Sequence, residues 1–82
     1  MHRTAVQSSN IASVGYDRAS EVLEIAFHHG GIFRYPGTSA AEYAALMVSE
    51  SKGKYLHQHF VQAGREYEPV EDEEATAGGQ DA

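Results

Sequence analysis

At 82 residues and without a cysteine, the chain is one small domain whose core only just offsets chain entropy, with no disulfide or thiolate metal site to reinforce it. Its net charge of -6 hides a division: seven acids and no Lys or Arg follow from Glu66 onward, whereas residues 1–65 hold six basic and five acidic residues and all five histidines. "MHRTAVQSSN" lacks the apolar run of a secretion signal and no segment approaches about 20 apolar residues, so a cytoplasmic protein with no membrane partner is expected.

In chain order, "IASVGY" (11–16) reads as a short strand and "YDRAS" as a turn. "VLEIAFHH" alternates, with Leu23, Ile25 and Phe27 on one side and Glu24 and Ala26 on the other, as a half-buried strand does. "IFRYP" is the next strand, ended by Pro36, which cannot continue a ladder. The loop between these two strands decides where Phe33 and Tyr35 lie. A two-residue loop, His29-Gly30, sends both rings to the exposed face of Glu24 and Ala26, where they form a stacking platform. A three-residue loop, His29-Gly30-Gly31, pairs Phe27 with Phe33 and Ile25 with Tyr35, and unites them with Leu23 in one apolar face. Apolar consistency favours the second register, with Gly31 at the left-handed position.

Ser39 and Glu42 form a capping box that starts a helix with Tyr43, Leu46 and Met47 as a core stripe beside Ala40 and Ala44. Ser51 caps a second helix with Tyr55, Leu56, His59, Phe60 and Ala63 on one side, stopped by Gly64. "REYEP" adds a short C-terminal strand or packs along an edge. The expected architecture is α+β: a three-stranded antiparallel meander packed on two helices over residues 1–70. "VEDEEATAGGQDA" is too acidic and too poor in large apolar groups to repay ordering, so residues 71–82 are expected to be a disordered acidic tail. The simplest role for it is solubility; a mimic of nucleic-acid charge is the alternative.

The second helix opens on "SKGKY". Ser51 offers a hydroxyl, Gly53 permits close approach, and Lys52 and Lys54 bring charge to unpaired backbone N–H groups, a combination suited to phosphate. An ordinary cap with solvated lysines is the other reading. His57 and His59, two apart on a helix, point in nearly opposite directions and do not chelate together; His28-His29 lies at a hairpin tip, and His59 reads as an interior histidine. No metal and no cofactor are expected. With no cysteine, no serine in a nucleophile elbow and no paired carboxylates in the body, the chain reads as non-enzymatic.

At "SSNIASVGYD", "LEIAF", "GGIFRYPG" and "SKGKY" the chain resembles the KTSC domain family over roughly residues 4 to 70. That family is a short module found at the C-terminus of some lysyl-tRNA synthetases and also free-standing. Phe33-Arg34-Tyr35 matches its aromatic-x-aromatic motif, Ser51, Gly53 and Tyr55 its Ser-x-Gly-x-Tyr motif, and Gly15-Tyr16-Asp17 the end of its first strand. The chain departs from the pattern at Phe33, where tyrosine is more frequent, at Thr38 or Ser39, where proline opens the helix, and at Leu56-His57, which replaces an aromatic-Asn pair. The resemblance implies RNA or tRNA binding, with Lys52, Lys54, Arg34 and His57 on phosphates and Tyr55 or Tyr35 on a base. A protein-interaction module that docks through its open sheet face or its tail is the alternative. A body with one excess positive charge makes any RNA affinity weak and salt-sensitive. The oligomeric state is not legible in the sequence.

Overall fold

The computed structural model describes residues 2–70, and the tail expected at 71–82 lies outside them. Alternation in "VLEIAF" does produce a strand, β3 (Val22–Phe27), flanked by β2 (Ile11–Asp17) and β4 (Ile32–Pro36). Two further strands correct the three-stranded expectation. β1 (Arg3–Ala5) pairs with β2 and β5 (Glu68–Pro69) with β4, which makes a five-stranded antiparallel sheet in the order β1-β2-β3-β4-β5. Both additions are too short to show a period of two, so neighbouring backbone and not local pattern defines them. The "REYEP" stretch thus supplies the short C-terminal strand, with Phe33 opposite Pro69 and Arg34 opposite Glu68.

Between β4 and β5 the chain forms α1 (Ala40–Val48) and α2 (Lys52–Leu56), the latter continuing into one π-helical turn, His57–Val61. The capping box forms as the sequence predicts: Glu42 N–H donates to Ser39 Oγ at 3.1 Å and Ser39 N–H to Glu42 Oε1 at 3.0 Å. Gly64 ends the second helix at a φ of 73°, a left-handed conformation natural to glycine.

Phe33 and Tyr35 lie on the face toward the helices, because the β3–β4 loop has an odd length. The loop sits one residue earlier than expected, at His28-His29-Gly30, closed by Phe27 N–H to Gly31 C=O at 3.1 Å. Cross-strand partners therefore shift by two while the faces are kept: Ile25 opposes Phe33 and Leu23 opposes Tyr35. Gly30 and Gly31 both have positive φ, and His29 does not, so the two glycines make the turn. Tyr35 is 4% exposed, its ring edge-on to Phe60 at 5.2 Å. Phe33 is half-buried against Phe27 and Tyr67.

Ile11, Val14, Leu23, Ile25 and Tyr35 from the sheet meet Leu46, Leu56 and Phe60 from the helices to form the core. Ile11 and Val14 are three apart yet share a face because a bulge around Ala12 interrupts the β2–β3 register. Tyr16, also on this side, stacks on Tyr43 at 4.7 Å and donates its hydroxyl to Thr38 C=O at 2.7 Å, joining β2 to the start of α1.

Three helical expectations need correction. Ala40 and Ala44 are exposed, and α1 packs on the core through Tyr43, Leu46 and Met47. His59 and Ala63 are exposed as well. The π turn, bonded from Gln62 N–H to His57 C=O at 2.7 Å, sets the following residues back by about one position relative to an α-helix. Leu56 and Phe60 stay inside, while His59 stacks on Tyr55 at 4.2 Å on the surface.

Candidate functional site

Three stretches far apart in sequence converge at one end of the sheet. Ser8 Oγ accepts the N–H groups of Asn10 and Ile11, which shapes the loop before β2. The β3–β4 turn holds this loop: His28 N–H donates to Asn10 C=O at 2.9 Å, and its ring Nε2 donates to Ser8 C=O at 3.0 Å. The start of α2 packs on the same loop at Gly53, where an added Cβ would lie 3.3 Å from Asn10 Nδ2 and 3.7 Å from Ser8 Oγ. "SSN", "HHGG" and "SKGKY" thus form a single surface.

That surface holds a cleft of about 230 Å³. Phe27, Leu56 and Val61 supply its apolar lining, Asn10, His29 and His57 its polar groups, and Gly53 its open side. The His29 ring lies nearly parallel to Phe27, at 10° and 5.3 Å between centroids. The widened π turn places His57 and Val61 on the same cleft.

Charge is sorted around it. Arg3 and Arg34 both bind Glu24 on the opposite face of the sheet, Arg34 Nε at 2.7 Å from Glu24 Oε1. Glu24 is 2% exposed; burial pushes its carboxyl up, but the hydrogen bonds and charge of Arg34 and Arg3 prevail and hold it below the usual carboxylate range. Arg65 is occupied by Glu42, at 2.9 Å, and lies over the Phe60 ring. Among the described residues, Lys52, Lys54 and Arg18 are the cations without a carboxylate partner, and the two lysines flank Gly53 at the cleft. Asp17 and Glu21 stand at the β2–β3 turn, the far end of the sheet, and Glu66 and Glu68 by β5; Glu50, just before α2, is the acid nearest in sequence.

The expected phosphate-binding set is therefore divided. Ser51, Lys52, Gly53, Lys54, Tyr55 and His57 lie together on α2 and its continuation: Ser51 Oγ accepts Lys54 N–H at 3.4 Å, and Lys52 Nζ donates to Ser49 C=O at 3.3 Å. Arg34 does not join them, because it is on the other face and bound to Glu24. Tyr35 is interior and offers no ring to a base, whereas Tyr55 is half-buried with its ring against His59. Asn10, Phe27, His29 and Val61 were not anticipated as site residues. The side-chain pattern of "SSN" signals a turn, but nothing local signals that this turn abuts a helix start. A larger open depression of about 710 Å³ lies at the far end, where Asp17 and Glu68 offset Arg18 and Arg34.

Among curated proteins, an uncharacterized protein of Stutzerimonas stutzeri strain A1501 is 37% identical over 60 residues, which are 73% of this chain and 84% of the relative. Among solved structures, the crystal structure of a KTSC domain protein from Yersinia pestis superposes with a TM-score of 0.78 at 28% identity, covering 85% of this chain and 97% of that one. The family model of the KTSC domain matches residues 7–63, a span that runs from the Ser8–Asn10 loop to the end of the π turn. The chain belongs to the KTSC domain family.

Proposed function

We propose that this domain is a small, non-catalytic cytoplasmic module that binds single-stranded RNA, tRNA included, weakly and through the end of the sheet where α2 begins. The observation that carries the reading is the sorting of charge: among the described residues Lys52 and Lys54 have no carboxylate partner, the Gly53 between them lines a cleft with His29 and His57, and most of the described acids lie elsewhere. Phosphates attract such a surface without any sequence-specific contact. The occurrence of related modules at the C-terminus of some lysyl-tRNA synthetases supports the same reading by association.

The decisive experiment titrates labelled single-stranded RNA into the full chain, and into residues 1–70, at low salt. Binding is expected in both, tighter without the acidic residues 71–82, and weakening with salt by about 0.7 in log–log slope per phosphate contacted. Lys52→Glu with Lys54→Glu should abolish it and leave thermal stability almost unchanged, since surface charges without a carboxylate partner contribute little to folding. Absence of binding to either form at low salt overturns the proposal. The protein-interaction reading then takes its place, supported by Val48, Val61 and Tyr67, which are 81%, 54% and 57% exposed.

A further inference from the structure

We infer that the cleft bounded by Asn10, His29 and His57 seats one unpaired RNA base, and that the Asn10 amide reads the edge of that base. The inference rests on the RNA-binding reading and adds to it a place for a base, where that reading needs only phosphates.

Asn10 is held by its backbone and left unused by its side chain. Its N–H donates to Ser8 Oγ and its C=O accepts from His28, yet among the described residues its amide makes no hydrogen bond. A carboxamide with donor and acceptor side by side matches the edge of a nucleobase, as asparagine does with adenine. Gly53 leaves room for that amide. Any larger residue would bring a Cβ to 3.3 Å from Asn10 Nδ2, and this glycine stands within a helix, where it costs about 1 kcal/mol relative to alanine.

The remaining walls fit a flat heterocycle. His29, stacked on Phe27, presents an aromatic face, while Leu56 and Val61 are apolar. At about 230 Å³ the space is smaller than a pocket for a drug-sized ligand and suits a single ring system. The π turn that brings His57 and Val61 to the cleft is a rare conformation that recurs at functional sites. Lys52 and Lys54, on either side of Gly53 in sequence, complement a polyanion, so the occupant is a base carried on a phosphate backbone.

The test compares, on the full chain at low salt, a short single-stranded RNA with an abasic oligomer of the same length and charge. Stacking and edge contacts to one base should favour the RNA by roughly five- to hundred-fold. Asn10→Ala, His29→Ala and Gly53→Ala, all near the surface, should each shrink that preference without weakening the abasic complex, and RNA alone should shift the ring proton resonances of His29 and His57. If both oligomers bind equally, or if Asn10→Ala leaves the preference intact, the base seat is wrong while the phosphate-binding surface stands. If neither oligomer binds, both readings fall together. A preference reduced by Gly53→Ala as well as by Asn10→Ala, with the folded spectrum unchanged, supports the seat.

Discussion

Replacing Arg3 and Arg34 together by alanine leaves the Glu24 carboxylate, 2% exposed, without either of its partners. The row is built across three strands: Arg3 stands opposite Gly15, Gly15 opposite Glu24, and Glu24 opposite Arg34. Because Gly15 has no side chain, Arg3 reaches over it to Glu24. The arginine side chains are 26% and 43% exposed, so each bond is partly screened, and either single variant should cost about 1–2 kcal/mol. Removing both isolates a buried charge, for which about 3–5 kcal/mol is expected, a large share of the stability of a domain this size.

The pH dependence carries the sharper signature. In the native protein the Glu24 carboxyl lies below its ordinary 4.5, so its contribution is present above that pH and is lost as pH falls through the folded value. Without the arginines only burial remains, which raises the folded value above the unfolded one. The contribution then reverses: it is present below the unfolded value and lost as pH rises through the folded one. Urea denaturation at about pH 4 and about pH 7 measures both effects. Adding Glu24→Gln to the double variant should restore stability at the higher pH by removing the stranded charge. Equal losses at the two pH values, or a double variant no worse than Arg34→Ala alone, would refute this account of the triad.

Tyr35→Ala should cost about 3–5 kcal/mol, whereas Phe33→Ala, at a half-buried position, should cost about 1.5–3; chemical denaturation of the two variants ranks them, and the reverse order would contradict their placement. Gly64→Ala meets open space but must adopt a φ of 73°, so a loss of about 1 kcal/mol is expected, seen as a fall in melting temperature of about 4–8 °C. Gly53→Ala is the matched control: its φ is helical, the exposed Asn10 amide can swing aside, and the melting temperature should not fall.

Local chemistry was enough for the elements that carry their own signals. The period of two in "VLEIAF", the Ser39–Glu42 capping box, the Ser51 cap and the stop at Gly64 depend on neighbours within four residues, and all are realised. The parity of the β3–β4 loop was also legible, because only an odd loop gathers Leu23, Ile25, Phe27, Phe33 and Tyr35 on one face, and the exact partners shifted by two since parity does not distinguish them. Long-range pairing decided the rest. β1 and β5 exist because an adjacent strand offers hydrogen bonds, the bulge at Ala12 exists because Ile11 and Val14 must both reach the core, and the π turn sets back the residues after it, so that Ala63 is exposed where an α-helical period places it inside. Arg34 reads as a free cation in sequence and is bound to Glu24 only because the sheet sets them side by side. The cleft belongs to the same class: Asn10, His29 and His57 are separated by about twenty residues or more, and only the hydrogen bonds of His28 to the Ser8–Asn10 loop and the bare backbone of Gly53 bring their side chains to one place.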